Sequence, residues 1–162
     1  MTPTDPAGLP ELLLRPATPD DVPRIAAVQV AARAVAAMPP GIHAPDEVRA
    51  YLAAHFGTAE NWVAEVAGRV VGYARFTRDW LNDLYVDPGR QGVGVGGALL
   101  DLVKARHPDG FSLWVFEQNA PARAFYAARG LVEREHTDGA ENEERAPDLR
   151  MEWPPGSVGG SS

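Results

Sequence analysis

The sequence predicts an α/β (α+β) protein built on a mixed, mostly antiparallel sheet of about seven strands, flanked by about four helices. Hydrophobic periodicity and turn residues give the element order β-α-α-β-β-β-α-β-α-β-β. Residues 81–116 run strand, glycine-rich turn, helix, strand, which is a parallel crossover unit. β-rich runs joined by short turns surround that unit and predict hairpins. A central parallel unit with hairpins around it makes the sheet mixed.

The N-terminal half contributes a strand, two helices and a hairpin. Residues 12–14 are three leucines and predict a short buried strand. Thr18 is placed to cap a first helix, because proline and two acids follow it. A second helix is predicted over about 46–55. The runs 62–66 and 70–76 flank a glycine-containing turn and predict the hairpin.

The crossover unit begins with a strand at 81–86 and ends with one at 111–116. The second strand is almost continuously apolar, as expected of a strand buried on both faces. The helix between them follows the glycine-rich turn. Five residues are predicted to form its inner face: Val95, Ala98, Leu99, Leu102 and Val103.

The remaining elements form a helix and two last strands. Asn119 is placed to cap the helix, and Gly130 stands where a helix C-terminus favours positive φ. Strands are predicted at 131–136 and 149–153, joined by an acidic loop. The sequence therefore predicts one folded domain at 11–153, with a disordered lead-in at 1–10 and a flexible tail at 154–162.

Composition excludes several classes of function. The chain has no cysteine, which excludes a disulfide framework, a thiolate metal site and a cysteine nucleophile. The net charge of −7 argues against nucleic-acid binding. The chain has no apolar run of about 20 residues and no signal-peptide pattern, so we expect no membrane partner and a cytoplasmic location.

The acidic region at 133–152 holds eight carboxylates and three arginines. One interpretation is solvated surface, and the other is a field that attracts a cationic, amine-bearing acceptor.

The run Gln91-Gly92-Val93-Gly94-Val95-Gly96-Gly97 lies between a strand end and a helix start. The first N–H groups of a helix lack partners and favour negative charge, and glycines let an anion approach the backbone. This turn is therefore predicted to hold a phosphate or diphosphate, the alternative being a ligand-free tight turn. A dinucleotide-binding fold is disfavoured because the motif is mid-chain with too little sequence after it, and no P-loop is present.

Two motifs resemble the GCN5-related N-acetyltransferase (GNAT) family. The stretch 84–100 is similar to its motif A, whose core Gln/Arg-x-x-Gly-x-Gly/Ala is met by Gln91, Gly94 and Gly96. The later pattern Asn119-x-x-Ala122-x-x-Phe125-Tyr126-x-x-x-Gly130-Leu131 resembles a second family motif. The resemblance spans about 11–153 in element order and implies an acyl-CoA N-acyltransferase domain in which two parallel strands splay apart.

The resemblance also implies site residues. Backbone amides from Gln91 to Gly97, that is Gln91, Gly92, Val93, Gly94, Val95, Gly96 and Gly97, would hold the diphosphate of coenzyme A. The main chain of Leu84, Tyr85 and Val86 would bind the pantetheine arm as an added strand. Asn119 would contact the cofactor or order the next helix, and Tyr126 would protonate the departing thiolate. The alternative for Tyr126 is a core aromatic.

Acylation of an amine by a thioester needs a base for the ammonium, donors for the carbonyl oxygen and an acid for the thiolate. The chain has no cysteine and no Gly-x-Ser-x-Gly elbow, which favours direct attack in a ternary complex. The amide near Val86 is the candidate carbonyl donor. Asp83 is the candidate base, its alternative being a surface carboxylate, and Glu65 and Glu117 are lesser candidates.

Three function hypotheses follow. The first is an N-acetyltransferase that uses acetyl-CoA as co-substrate, without a metal, on a small-molecule or peptide amine. The second is a non-catalytic acyl-CoA sensor or interaction module. The third is a protein N-terminal or lysine acetyltransferase. The oligomeric state stays open, with a homodimer among the alternatives.

Overall fold

The computed structural model describes residues 11–91 and 93–154. The predicted lead-in at 1–10, Gly92 and the tail beyond Pro154 lie outside the described residues. Strands and helices follow one another in the predicted order: β1 Leu12–Pro16, α1 Val22–Val35, α2 Pro45–Ala54, β2 Glu60–Val66, β3 Arg69–Phe76, β4 Leu81–Val86, α3 Val95–Arg106, β5 Phe111–Phe116, α4 Ala120–Ala127, β6 Val132–Thr137 and β7 Asp148–Trp153. None of the helices in these ranges is long and apolar enough to cross a membrane.

The strands form two antiparallel ladders, β1-β2-β3-β4 and β5-β7-β6. The ladders meet at the start of β4 and β5, where Trp80 and Ser112 form an isolated parallel bridge. The amide of Ser112 also donates to the carbonyl of Asp79 at 2.9 Å. β5 pairs with β7 along its whole length on its other edge, and beyond the bridge β4 and β5 form no further ladder pairs within the described ranges. The predicted mixed fold with a splayed central parallel pair is confirmed.

Helices cover both faces of the four-stranded ladder. On one face α3 packs against a core that includes Ala74 and Phe76 of β3. On the other face α1 and α2 pack against Val63, Val70 and Tyr73. The central strand β3 is thus buried from both sides, which makes it the structural axis of this half of the molecule.

The predicted inner face of α3 needs one correction. Leu100 is fully buried and was not predicted, whereas Ala98 and Leu102 are only half-buried. The other predicted members, Val95, Leu99 and Val103, are buried as expected. Because α3 lies across β2, β3 and β4, its apolar stripe is wider than one face of a helix and is rotated relative to the predicted one.

Two predictions of burial were wrong. Leu13 in β1 is 52% exposed, because β1 is an edge strand paired only with β2. Trp114 in β5 is 46% exposed, because the separation from β4 leaves that face of β5 open. Its ring stacks on Trp80 at 6.0 Å between centroids instead of entering the core.

Gly72 in β3 lets α3 approach the sheet closely. A Cβ there would meet the carbonyl oxygen of Tyr85 at 3.1 Å, Val95 Cγ1 at 3.1 Å and Leu99 Cδ1 at 3.3 Å. The backbone atom cannot give way, so an added methyl would push the start of α3 outward.

We therefore expect Gly72→Ala to lower the free energy of unfolding by about 1–3 kcal/mol. Chemical denaturation followed by circular dichroism measures this loss. Gly57→Ala is the matched control, since a Cβ at Gly57 meets nothing within 4 Å. Equal stability of the two variants would contradict the close packing of α3 on β3.

Candidate active site

A cleft of about 770 Å³ opens where β4 and β5 separate. Its walls are β4, residues 113–116 of β5, the N-terminus of α3, one side of α4 and the C-terminal end of α1 with the residues that follow it. Eight of the predicted cofactor-binding residues line it: Leu84, Tyr85, Val86, Gln91, Gly94, Gly96, Gly97 and Asn119. Val93 and Val95 are not among the lining residues, since the side chain of Val93 is exposed and that of Val95 is in the core. Gly92 is not described.

The glycine turn places the N-terminus of α3 at this cleft. Gly94 has φ +92° and precedes the first helical residue, a conformation that favours glycine. Its carbonyl accepts the first helical bond from Ala98 at 3.0 Å, which leaves the intervening amides without helical partners. Gln91 Nε2 donates to the carbonyl of Val86 at 3.1 Å and ties the turn to the end of β4. The turn therefore presents donors and the positive end of a helix dipole to the cleft.

The later glycines of the turn face Phe125 of α4 and the side chain of Arg129, which follows α4. A Cβ at Gly96 would lie 3.4 Å from the ring of Phe125. A Cβ at Gly97 would lie 3.3 Å from the guanidinium of Arg129. That guanidinium sits 4.0 Å from the centroid of the Phe125 ring, and its Nη1 donates to the Phe125 carbonyl at 3.2 Å. The sequence analysis did not identify Arg129 as a cleft residue. Its position just before Gly130, at the end of the predicted helix, was the available signal.

Asn119 and Tyr126 lie on the cleft side of α4. The Asn119 Oδ1 accepts from the amide of Ala122 at 3.3 Å, so the predicted cap is present. Tyr126 is half-buried, two helical turns along the same face. Burial, with smaller contributions from Tyr85 and Asp83, raises the pKa of Tyr126 well above its ordinary value. The phenol is therefore held in its protonated form.

A second cavity of about 1060 Å³, which we also call the outer cavity, adjoins the first between α1, α2 and the β3–β4 face. Seven of its lining residues are shared with the first cleft: Arg33, Ala36, Met38, Asn82, Asp83, Tyr85 and Glu144. At this junction Arg33 donates to the Tyr85 hydroxyl and to Glu144 Oε2, each at 3.3 Å. We call the two adjoining cavities together the passage, and we call their shared residues, which include Arg33, Asp83 and Glu144, its waist.

Asp83 belongs to this waist. It is half-buried on β4, opposite Arg75 on β3. Burial raises the pKa of Asp83 to about 6, although Arg75, Tyr73 and Arg33 act in the opposite direction. A carboxylate with such a pKa is ionised at neutral pH and can accept a proton.

The lesser candidates lie elsewhere. Glu65 is paired with Arg15 at 3.1 Å on β2, and Glu117 is an exposed residue after β5. Neither lines the two cavities. Of the two histidines that flank α2, His43 lines the second cavity and His55 does not.

Some residues of the acidic region at 133–152 form solvated surface, and others line the second cavity. Three of its glutamates form surface ion pairs along β6 and β7, with the pairs being Glu133–Arg123, Glu152–Arg134 and Glu135–Arg150. Glu143 and Glu144 instead reach the second cavity, where they pair with His43 and Arg33. The loop is thus partly a solvated surface and partly a wall of the passage.

Known proteins resemble this chain along most of its length. The model of the acetyltransferase (GNAT) family matches residues 30–131. The peptidyl-lysine N-acetyltransferase YiaC of Escherichia coli K12 is 34% identical over 103 residues, which is 62% of this chain and 68% of that protein.

Two solved structures share the fold. A GCN5-related N-acetyltransferase from Rhodopseudomonas palustris superposes with a TM-score of 0.72 at 24% identity, over 89% of this chain and 96% of that one. The acetyltransferase yncA from Salmonella typhimurium, determined with acetyl-CoA, superposes with a TM-score of 0.65 at 22% identity, over 87% and 92%.

Fold, cleft and family match agree on the class of protein. The chain belongs to the acetyltransferase (GNAT) family. It is an acyltransferase of the acetyl-CoA-dependent N-acetyltransferase class.

The raised pKa of Asp83 predicts a pH-dependent cost to stability. The unfolded chain releases this proton near its ordinary pKa of 3.8, and the folded chain releases it at about 6. Between these values the folded state binds more protons, so its stability falls as pH rises. The free energy of unfolding of Asp83→Asn should therefore match that of wild type near pH 3.5 and exceed it by about 3 kcal/mol at pH 7, measured by denaturant unfolding, since each pKa unit corresponds to about 1.4 kcal/mol.

Asp21→Asn is the control with opposite sign. Its ion pair with Arg15 lowers the pKa of Asp21, so this carboxylate stabilises the fold above its unfolded pKa. That variant should be less stable than wild type at pH 7 and converge with it in acid. The account of Asp83 is wrong if both variants lose stability at pH 7.

Proposed function

We propose that the protein transfers an acetyl group from acetyl-CoA to a primary amine by direct attack, with both substrates bound and Tyr126 as general acid. The observation that carries this proposal is the continuous passage from the glycine turn to Asp83. The glycine turn, which suits an anion, lies at one end of the passage. The charged waist with Asp83 lies in the middle, and the second cavity lies beyond it. A ternary complex needs these three parts together.

The residues of the cleft fit coenzyme A. The free amides at the start of α3, its dipole and the guanidinium of Arg129 suit a diphosphate. We propose that the backbone from Gln91 to Gly97 holds this group. The edge of β4 that faces β5 beyond the Trp80–Ser112 bridge suits the amide-bearing pantetheine arm, which would add to Leu84, Tyr85 and Val86 like a strand. Asn119 orders the start of α4 beside it.

The chain then supplies three elements of the chemistry. Asp83, ionised at neutral pH, accepts the proton of the acceptor ammonium directly or through water. The amide near Val86 donates to the carbonyl oxygen as negative charge develops there. Tyr126 gives its proton to the sulfur that leaves, and the burial that raises its pKa keeps it protonated until then. As the new C–N bond forms and the C–S bond breaks, the nitrogen releases its second proton to solvent, and solvent reprotonates the Tyr126 phenol.

A peptide lysine is the second candidate acceptor. The relative from Escherichia coli is named a peptidyl-lysine N-acetyltransferase, and Glu143 and Glu144 reach the outer cavity. A protein N-terminal amine and a non-catalytic acyl-CoA sensor are the remaining alternatives. The single domain at 11–153, the cytoplasmic location and a homodimer stay predictions from the sequence.

Acetyl-CoA should stabilise the protein by mass action. At a concentration 100-fold above Kd, one site contributes about 2.7 kcal/mol, which raises Tm by roughly 5–10 °C for a chain of this length. Differential scanning fluorimetry measures the shift. S-acetylpantetheine is the matched control ligand, because it lacks the diphosphate and should stabilise far less. Equal shifts with both ligands would exclude a diphosphate site at the turn.

Tyr126→Phe should lower kcat by at least about 100-fold, because the leaving sulfur loses its proton donor. The assay is thiol release from acetyl-CoA over a panel of amines, and the Kd for acetyl-CoA should change less than threefold. Tyr85→Phe is the control, since its hydroxyl lies in the same cleft but accepts from Arg33. If Tyr85→Phe abolishes turnover and Tyr126→Phe does not, the assignment of the acid is wrong.

A further inference from the structure

Arg75 is a buried cation on the floor of the outer cavity. It lies on β3, is 8% exposed and lines the cavity beneath Tyr51, whose ring centroid is 5.8 Å from the guanidinium carbon. Within the described ranges, no carboxylate comes within 4.0 Å of its guanidinium. An arginine stays charged at any physiological pH, and burying an unpaired charge is costly.

Asp83 only partly compensates this charge. The two residues are cross-strand partners, and Arg75 acts to lower the pKa of Asp83. A tight ion pair would bring that pKa below its ordinary value, yet burial keeps it at about 6. The guanidinium therefore retains donors that a bound anion can use.

The other charged groups of this cavity have partners. Arg33 donates to Glu144 at 3.3 Å, and His43 lies 3.3 Å from Glu143. Glu47, the remaining glutamate of the cavity, accepts from the amide of Ala44 at 2.8 Å. Arg75 is the deep charge for which the structure gives no hydrogen-bond or ion-pair partner among the described residues, and it suits an anionic group.

We propose that the amine acceptor is a small amino acid whose carboxylate binds Arg75 while its amine faces Asp83. This rests on the proposed function, because it assigns the acceptor of that same site. Opposed residues on neighbouring strands have Cβ atoms about 5 Å apart, so the two side chains can engage two groups separated by a few bonds. A bidentate guanidinium–carboxylate contact fixes the orientation of the amine, and Tyr51 covers the pair from α2.

The first test compares matched acceptors on the wild-type protein. Free amino acids and their carboxamides are assayed with acetyl-CoA by thiol release, beside capped lysine peptides and polyamines. We expect at least one free amino acid to exceed its carboxamide in kcat/KM by 10-fold or more. If carboxamides, lysine peptides or polyamines are acetylated as well as the acids, the inference is overturned while the proposed function stands. If acetyl-CoA itself does not bind, both fail.

The second test is Arg75→Gln. KM for the free amino acid should rise by about 10- to 100-fold, since a charge-assisted contact is lost. KM for its carboxamide and the Kd for acetyl-CoA should each stay within threefold, and any change in kcat should be the same for acid and carboxamide, because Arg75 also lowers the pKa of Asp83. Arg24→Gln is the control, because Arg24 pairs with Asp87 at 2.7 Å outside the acceptor cavity. An equal rise in KM for the free amino acid and for its carboxamide would overturn the inference. If the variant folds poorly, the comparison of acids with carboxamides on the wild-type protein decides it.

Discussion

The separation of β4 from β5 is the constraint on which the rest of the structure depends. The strands start side by side at the Trp80–Ser112 bridge and then part, each keeping its other neighbour, β3 for β4 and β7 for β5. Parting leaves backbone donors and acceptors of β4 without strand partners on an edge that lines the cleft. The adjoining start of α3 lines the same cleft. The open edge can therefore pair with a strand-like ligand.

Packing behind the cleft keeps its walls in place. Gly72 lets α3 lie directly against β3, and the start of α3 meets the Phe125 ring of α4 at Gly96 at ordinary van der Waals distance. The close contact at Gly72 leaves α3 little room to move relative to β3. Arg129 completes this arrangement, because its guanidinium is held by Phe125 and stands beside Gly97. The end of the passage beside α3 therefore combines a helix N-terminus with a guanidinium.

Local patterns predicted the elements and the turn, because caps, glycines and periodicity depend on a few neighbouring residues. Asn119 caps α4 and Gly130 has positive φ, as predicted, for that reason. Leu13 and Trp114 are more exposed than the buried strands predicted at 12–14 and 111–116 imply, since exposure depends on which strands pair, and Trp114 lines the cleft. Arg75 was missed because only the β3–β4 register brings it opposite Asp83. The roles of Asp83 and Tyr126 still rest on the family resemblance and the geometry.

Asp83 and Arg75 show how the acceptor side differs from the cofactor side. Two opposite charges on adjacent strands could form a close ion pair, and a pair of that kind would stabilise both. Here the pKa of Asp83 stays raised, so burial outweighs the attraction and each charge remains incompletely satisfied. The fold tolerates this because β3 is held by helices on both of its faces. Charges that a rigid scaffold holds apart can act on a ligand without first breaking a bond to each other.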